Sequence, residues 1–109
     1  MLQYLYSETG AAAQEIVQEV APEVNAVSKE QIKDAAEARA EEIANDVAKA
    51  DETITQEQHS AIKEACAQVI YTEVCGNLAM IQASQNIESL FTEEVVENYY
   101  ASLEDLKQE

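Results

Sequence analysis

Glycine and proline are nearly missing from this sequence, which has two glycines, one proline and no tryptophan. These two residues disfavour helix most strongly, so their scarcity, together with 18 alanines and 18 glutamates, favours helix throughout the chain. No segment shows the alternating apolar pattern of a strand. Glycine-rich phosphate loops, calcium-binding loops and nucleophile motifs are also missing, so the sequence does not predict an enzyme.

Cysteine and long apolar runs are scarce as well. Cys66 and Cys75, nine residues apart on one predicted helix, would point to opposite faces, so we expect two free thiols in a reducing compartment. No apolar run reaches transmembrane length, and the N-terminal "MLQYLY" lacks the regions of a signal peptide. We therefore expect a cytoplasmic protein, in the host cytoplasm if it is viral, with no membrane partner.

Basic residues are few compared with acidic ones. Six lysines and arginines face 22 aspartates and glutamates, which gives a net charge of −16. A field of this sign repels nucleic acids and attracts basic protein surfaces. The charge therefore predicts a basic partner protein and no direct binding of nucleic acid by this chain.

Metal-ligating residues do not cluster. His59, Cys66 and Glu73 share one face of a predicted helix, but successive members lie about 10 Å apart, too far to hold one metal ion. We read His59 as a polar surface residue near a helix N-terminus. The sequence predicts no metal site and no cofactor.

The features that are present are helical, over a length that fits one acidic domain, residues 1–109. Pro22 should end the first helix, and "MLQYLY" before it is either an extra turn or a separate segment that packs on the core. The sequences "SKEQ" and "TQEQ" fit capping boxes at the starts of the second and third helices. The predicted helices cover residues 8–21 and 28–50, a third helix starts at Thr55, and a last helix is capped by Thr92.

The third helix is the most apolar, since Glu73 is its only charged residue between Ala65 and Ile87. A helix that is apolar nearly all round belongs in the middle of a bundle. Gly76 either divides it in two or lies within it at a cost of about 1 kcal/mol. We predict an all-α, compact bundle of four to five helices around a central apolar helix at residues 60–90.

Acidic residues form rows on the predicted helices. A helical wheel of residues 28–52 separates a buried arc of Ile32, Ala36, Ala40, Ile43, Val47 and Ala50 from an acidic arc of Glu30, Asp34, Glu37, Glu41 and Glu52. The last helix places Glu93, Glu97 and Glu104 opposite its stripe of Val95, Val96, Tyr99, Tyr100, Leu103 and Leu106. No lysine or arginine lies within either row. Like charges at i,i+4 destabilise a helix, so such rows call for an explanation beyond solubility.

The rows have the sign of a nucleic-acid backbone and a spacing of the same order. Residues at i,i+4 advance about 6 Å along a helix. Phosphates follow one strand of duplex DNA every ~3.4 Å of axis. The composition and helical architecture resemble those of DNA-mimic proteins, many of them phage inhibitors of host defence enzymes. The resemblance implies a non-enzymatic inhibitor whose eight row carboxylates occupy the cationic cleft of a nucleic-acid-binding protein.

Two other functions stay open at this point. A helical adaptor or assembly subunit would bind through an apolar patch with Tyr99 and Tyr100, because aromatic residues are enriched in interface cores. In that case the charge serves solubility, and a homodimer is one form that the assembly would take. Halophilic adaptation is a third explanation of the charge, and a simple solvated face is the ordinary explanation of any acidic row.

Overall fold

All described regular structure is helical. A computed structural model of the chain describes residues 2–108, in which no strand occurs, so the prediction of an all-α protein is confirmed. None of the helices in this range has the length and hydropathy needed to cross a membrane. The elements are α1 (Leu2–Val20), a short 3₁₀ helix (Ala21–Glu23), α2 (Lys29–Ala50), α3 (Gln56–Leu90) and α4 (Glu93–Gln108).

The two predicted capping boxes set the starts of α2 and α3. The Ser28 hydroxyl accepts the Gln31 backbone N–H at 3.1 Å, and the Gln31 side chain accepts the Ser28 N–H at 2.9 Å. Thr55 and Gln58 repeat this reciprocal pair with the same two distances. Each box therefore satisfies two backbone donors that would otherwise lack a partner.

The N-terminal segment lengthens α1. Met1 lies outside the described residues, but Leu2 onward is helical, so the first helix begins earlier than the expected residue 8. Thr9 lies inside this helix, where its hydroxyl donates to the Leu5 carbonyl at 2.8 Å. Gly76 does not divide α3, which runs through it without a break.

The first three helices form a bundle with α3 at its centre. Asn45 of α2 contacts His59 near the start of α3, whereas Ile32 lies beside Leu78, so α2 and α3 are antiparallel. α1 packs on another side of α3 and runs parallel to it, because Leu5 lies beside Cys66 and Val17 lies beside Asn77. Ile70 and Val74 of α3 are completely buried between these helices.

Small side chains make up much of the α2 contribution to the core. Of the arc predicted to be buried, all residues except Ala50 are buried, and Ala44 joins them. Alanine at half of the buried α2 positions permits close packing of this helix on its neighbours. The remaining buried core residues are Ala12, Ala13, Ile16, Val24, Cys66, Ile70, Val74 and Leu78.

The prediction of one compact bundle holds only for α1, α2 and the first two thirds of α3. The described chain extends 72 × 31 × 16 Å with a radius of gyration of 21.1 Å, whereas a compact chain of this length would have about 13 Å. The 35 residues of α3 exceed the 19 of α1 and 22 of α2. Ile81 still packs against the core and Gln82 donates to the Val24 carbonyl, but the far end of α3, residues 83–90, has no helix opposite it, and α4 continues beyond.

Replacing Ile70 with alanine should lower the free energy of unfolding by about 2–5 kcal/mol, because a fully buried side chain leaves a cavity. Ile70→Val should lower the free energy of unfolding by about 0.5–1.5 kcal/mol. Gln68→Ala, on the exposed face of α3, is the matched control, and its free energy of unfolding should stay within about 0.5 kcal/mol of the wild-type value. Urea denaturation followed by circular dichroism measures all three. Equal losses for Ile70→Ala and Gln68→Ala would contradict this core.

The two thiols should differ in reactivity. Burial raises the pKa of the Cys66 thiol, so less thiolate is present at neutral pH, whereas Cys75 is only half-buried. Iodoacetamide should therefore label Cys75 faster than Cys66 in the native protein, as read by peptide mass spectrometry. Denatured protein is the control, in which the two rates should converge. Faster native labelling of Cys66 would show that α1 does not cover it.

Candidate protein-binding surface

The acidic row on α2 lies on the surface of the bundle. Glu30, Asp34, Glu37 and Glu41 are all exposed, on the face opposite the buried residues of α2. From the first to the last of them the helix advances about 17 Å. The buried arc fixes the rotation of α2 relative to the bundle, and with it the direction of this row.

Glu52 does not belong to the α2 row by helix geometry. α2 ends at Ala50, and Asp51 is extended, with φ −134° and ψ 99°. Glu52 therefore lies in the following turn, where the angle of a helical wheel does not apply. Hydrogen bonds that Thr53 donates to the Asp51 carboxylate order this turn and lower the pKa of Asp51. Glu52 is exposed, but the wheel prediction was wrong for it.

A lysine from the neighbouring helix borders the row. Lys63 of α3 places its Nζ 3.9 Å from Glu41 Oε2. Lys63 and Lys33 also line, with Glu37, a groove of about 700 Å³ between α2 and α3. No base lies within the row, but Lys33 of α2 and Lys63 of α3 both lie beside it in the folded bundle. A wheel of one helix contains no information about its neighbour, so the contact with Lys63 could not be predicted from the sequence.

Arg39 links the acidic surfaces of α1 and α2. It forms an ion pair with Glu15 of α1 and lies 3.7 Å from Glu42 on its own helix. The hydrogen bond with Glu15 is the main cause that raises the pKa of Arg39. This pair occupies Glu15, so the acids near α1 are less free to bind a partner than those of the α2 row.

The second predicted row lies apart from the first. Glu93, Glu97 and Glu104 are exposed, but they belong to α4, which has no packed interface with α1 or α2 in residues 2–108. The structure therefore does not unite the two rows into one surface. Tyr99 and Tyr100 of α4 are 61% and 62% exposed, with their rings edge to face at 5.8 Å.

The remaining candidates from the sequence are polar surface residues. His59 lies in the first turn of α3, and its Nε2 is 2.8 Å from the Asn45 side-chain oxygen. Glu73 is exposed, so it lies where α3 meets solvent. Within the described part of the chain, no three histidine, cysteine, aspartate or glutamate side chains come together as metal ligands would.

Comparisons with known proteins found no protein similar to this chain. No protein-family model matches the chain, and no significant match was found among curated proteins or solved structures.

Salt should stabilise the bundle. Residues 2–78 hold 15 acidic and five basic residues, a net charge of −10, so added salt screens more repulsion than attraction. The melting temperature should rise when sodium chloride is increased from about 0.01 M to about 1 M. A variant with Glu23→Lys and Asp46→Lys should show a smaller rise. A melting temperature that falls with salt would mean that pairs such as Arg39–Glu15 outweigh the repulsion.

Proposed function

We propose that this protein is a non-enzymatic acidic binding protein that mimics a nucleic-acid backbone and occupies the cationic cleft of a nucleic-acid-binding protein. The α2 row of Glu30, Asp34, Glu37 and Glu41 supports this proposal, because four exposed carboxylates follow one fixed helix. Phage inhibitors of host defence act in this way. The two proteins would meet in the cytoplasm, where free thiols persist.

A fixed helix improves such a mimic. Side chains that are already held in position lose less freedom on binding, so more of the electrostatic attraction contributes to affinity. The acidic field would also steer a basic partner to the surface and raise the association rate. The bundle supplies the rigidity, and the row supplies the charges.

The Lys63–Glu41 contact does not remove Glu41 from the proposed surface. Both side chains are partly exposed, at 39% and 58%, and exposed ion pairs contribute only about 0–1 kcal/mol. A lysine or arginine of the partner would replace Lys63 at little cost. Glu30 and Asp34 form no ion pair within the described residues.

An adaptor or assembly subunit is the second candidate function. The observation that favours it is α4, whose Tyr99 and Tyr100 are exposed on a helix without a packing partner in the described chain. In this proposal the predicted compact bundle of four to five helices is completed by a partner that covers α4. The charge then maintains solubility.

Reversing Asp34 and Glu37 to lysine should weaken binding of the basic partner by roughly 2–5 kcal/mol, because each reversal replaces an attraction with a repulsion. The fold should survive, since both positions are exposed. Partners captured from lysate on immobilised protein would be purified by salt elution. Binding is then measured by calorimetry, with duplex DNA added as a competitor.

The matched control for this experiment is the pair Glu23→Lys and Asp46→Lys, which changes net charge equally but lies outside the row. It should retain most of the affinity. The adaptor proposal predicts the reverse: Tyr99→Ala or Tyr100→Ala would abolish binding, while reversal of the row would not. Unchanged affinity after the Asp34 and Glu37 reversals, or a failure of DNA to compete, would refute mimicry by this row.

A further inference from the structure

The chain beyond the bundle forms a protruding arm. Leu78 is the last buried residue of α3, and the following residues up to Lys107 are exposed or at most half-buried. Near the bundle, Ile81 still packs against the core and Gln82 donates to the Val24 carbonyl at 3.2 Å, but no helix of the described chain packs along the segment that follows. Residues 79–108 are called the C-terminal arm below.

The arm carries most of the exposed large apolar side chains. Of the twelve that are exposed in the described chain, eight lie on the arm, although it is less than a third of the sequence. They are Met80, Ile87, Leu90, Phe91, Val95, Tyr99, Tyr100 and Leu106. Apolar surface concentrated in this way marks an interaction site, whereas single exposed apolar residues spread over a surface are ordinary.

The exposed residues of α3 form a seam of their own. Met80, Ala83, Ile87 and Leu90 follow at spacings of three, four and three, which is the spacing of helix–helix packing. These four are called the distal stripe. On a helical wheel Ile87 lies about 100–140° from Ile70 and Val74. The distal stripe is therefore not a continuation of the bundle core but a separate face of α3.

The charge of the arm distinguishes between possible occupants. Residues 74–87 carry no charged side chain, in a protein that is 26% charged. A basic partner would complement the acidic edges of α4, but on the exposed part of α3 only the Glu88 carboxylate could attract it. The apolar face of an acidic helix such as α4 fits this uncharged surface, because its own carboxylates then stay in solvent.

We propose that the arm is a dimerisation surface, in which α4 of one protomer packs on the distal stripe of a second copy, and the reverse contact completes a twofold dimer. The 16 residues of α4 span about 24 Å, which is enough to cover the roughly 18 Å of residues 79–90 of α3. A reciprocal contact of this kind is closed, so it stops at two copies.

The exposed area matches the needs of a stable dimer. Phe91, Tyr99 and Tyr100 are each about 60% exposed and together offer on the order of 350 Å². With the five exposed aliphatic side chains, the arm offers on the order of 800 Å², which is the share of one partner in a standard interface. Dimerisation is independent of the proposed mimicry, since the α2 row lies on the bundle and stays accessible, but it competes with the adaptor function for the same α4 tyrosines.

The test is the mass of the intact protein in solution, measured by light scattering and analytical ultracentrifugation. The wild-type chain of 12.0 kDa should run at twice that mass. Leu90→Ser combined with Tyr99→Ser should weaken the dimer at least about 100-fold, with helix content unchanged because both side chains lie outside the core. Leu2→Ser combined with Tyr6→Ser, at equally exposed apolar positions of α1, should leave the dimer intact.

Mixing two variants tests whether α4 of one chain packs on the distal stripe of the other. One chain carries Ile87→Ser and Leu90→Ser in α3, and the other carries Tyr99→Ser and Tyr100→Ser in α4. A mixed dimer regains one intact contact between α4 and the distal stripe, so it should form more tightly than either variant alone. Failure of the mixture to associate would overturn the packing of α4 on the partner's α3.

Other outcomes also overturn the proposal. A wild-type monomer that is compact in scattering would mean that α4 folds back on its own α3 across Phe91 and Thr92. An extended wild-type monomer would leave the arm to a different protein. Loss of the dimer in the Leu2 and Tyr6 variant alone would place the interface on α1.

Discussion

The burial of one stripe of α3 between α1 and α2 determines the rest of this structure. Ile70 and Val74 have no exposed surface, and both shorter helices pack against them. This contact fixes how α2 is rotated about its axis, so it directs the α2 carboxylates to solvent. It also sets where the bundle ends along α3, and thus how much of that helix protrudes.

The bundle combines a thin apolar interface with strong charge. Half of the buried α2 residues are alanine, which bury less apolar surface than larger side chains, while residues 2–78 carry a net charge of −10 from 15 acids and five bases. Local features offset part of this cost. The two capping boxes stabilise the starts of α2 and α3, and Arg39 joins α1 to α2 through Glu15.

The bundle and the arm present different chemistry to partners. The bundle offers an acidic row on a rigid helix, and the arm offers apolar side chains on a segment without intramolecular support. Dimerisation through the arm would place two α2 rows in one assembly. Two rows held together bind a partner with two cationic clefts, or a dimeric partner, more tightly than either row alone, because the second contact becomes intramolecular.

The sequence by itself determined the local features of this protein, and the tertiary structure decided the relations between helices. Capping boxes and the arc from Ile32 to Val47 were predictable, because both depend on residues within one or two turns of the same helix. The sequence did not predict the place of Lys63 beside Glu41, the separation of the α4 row, or the exposure of residues 82–90. Each depends on the relative lengths and directions of packed helices, and a helical wheel contains neither.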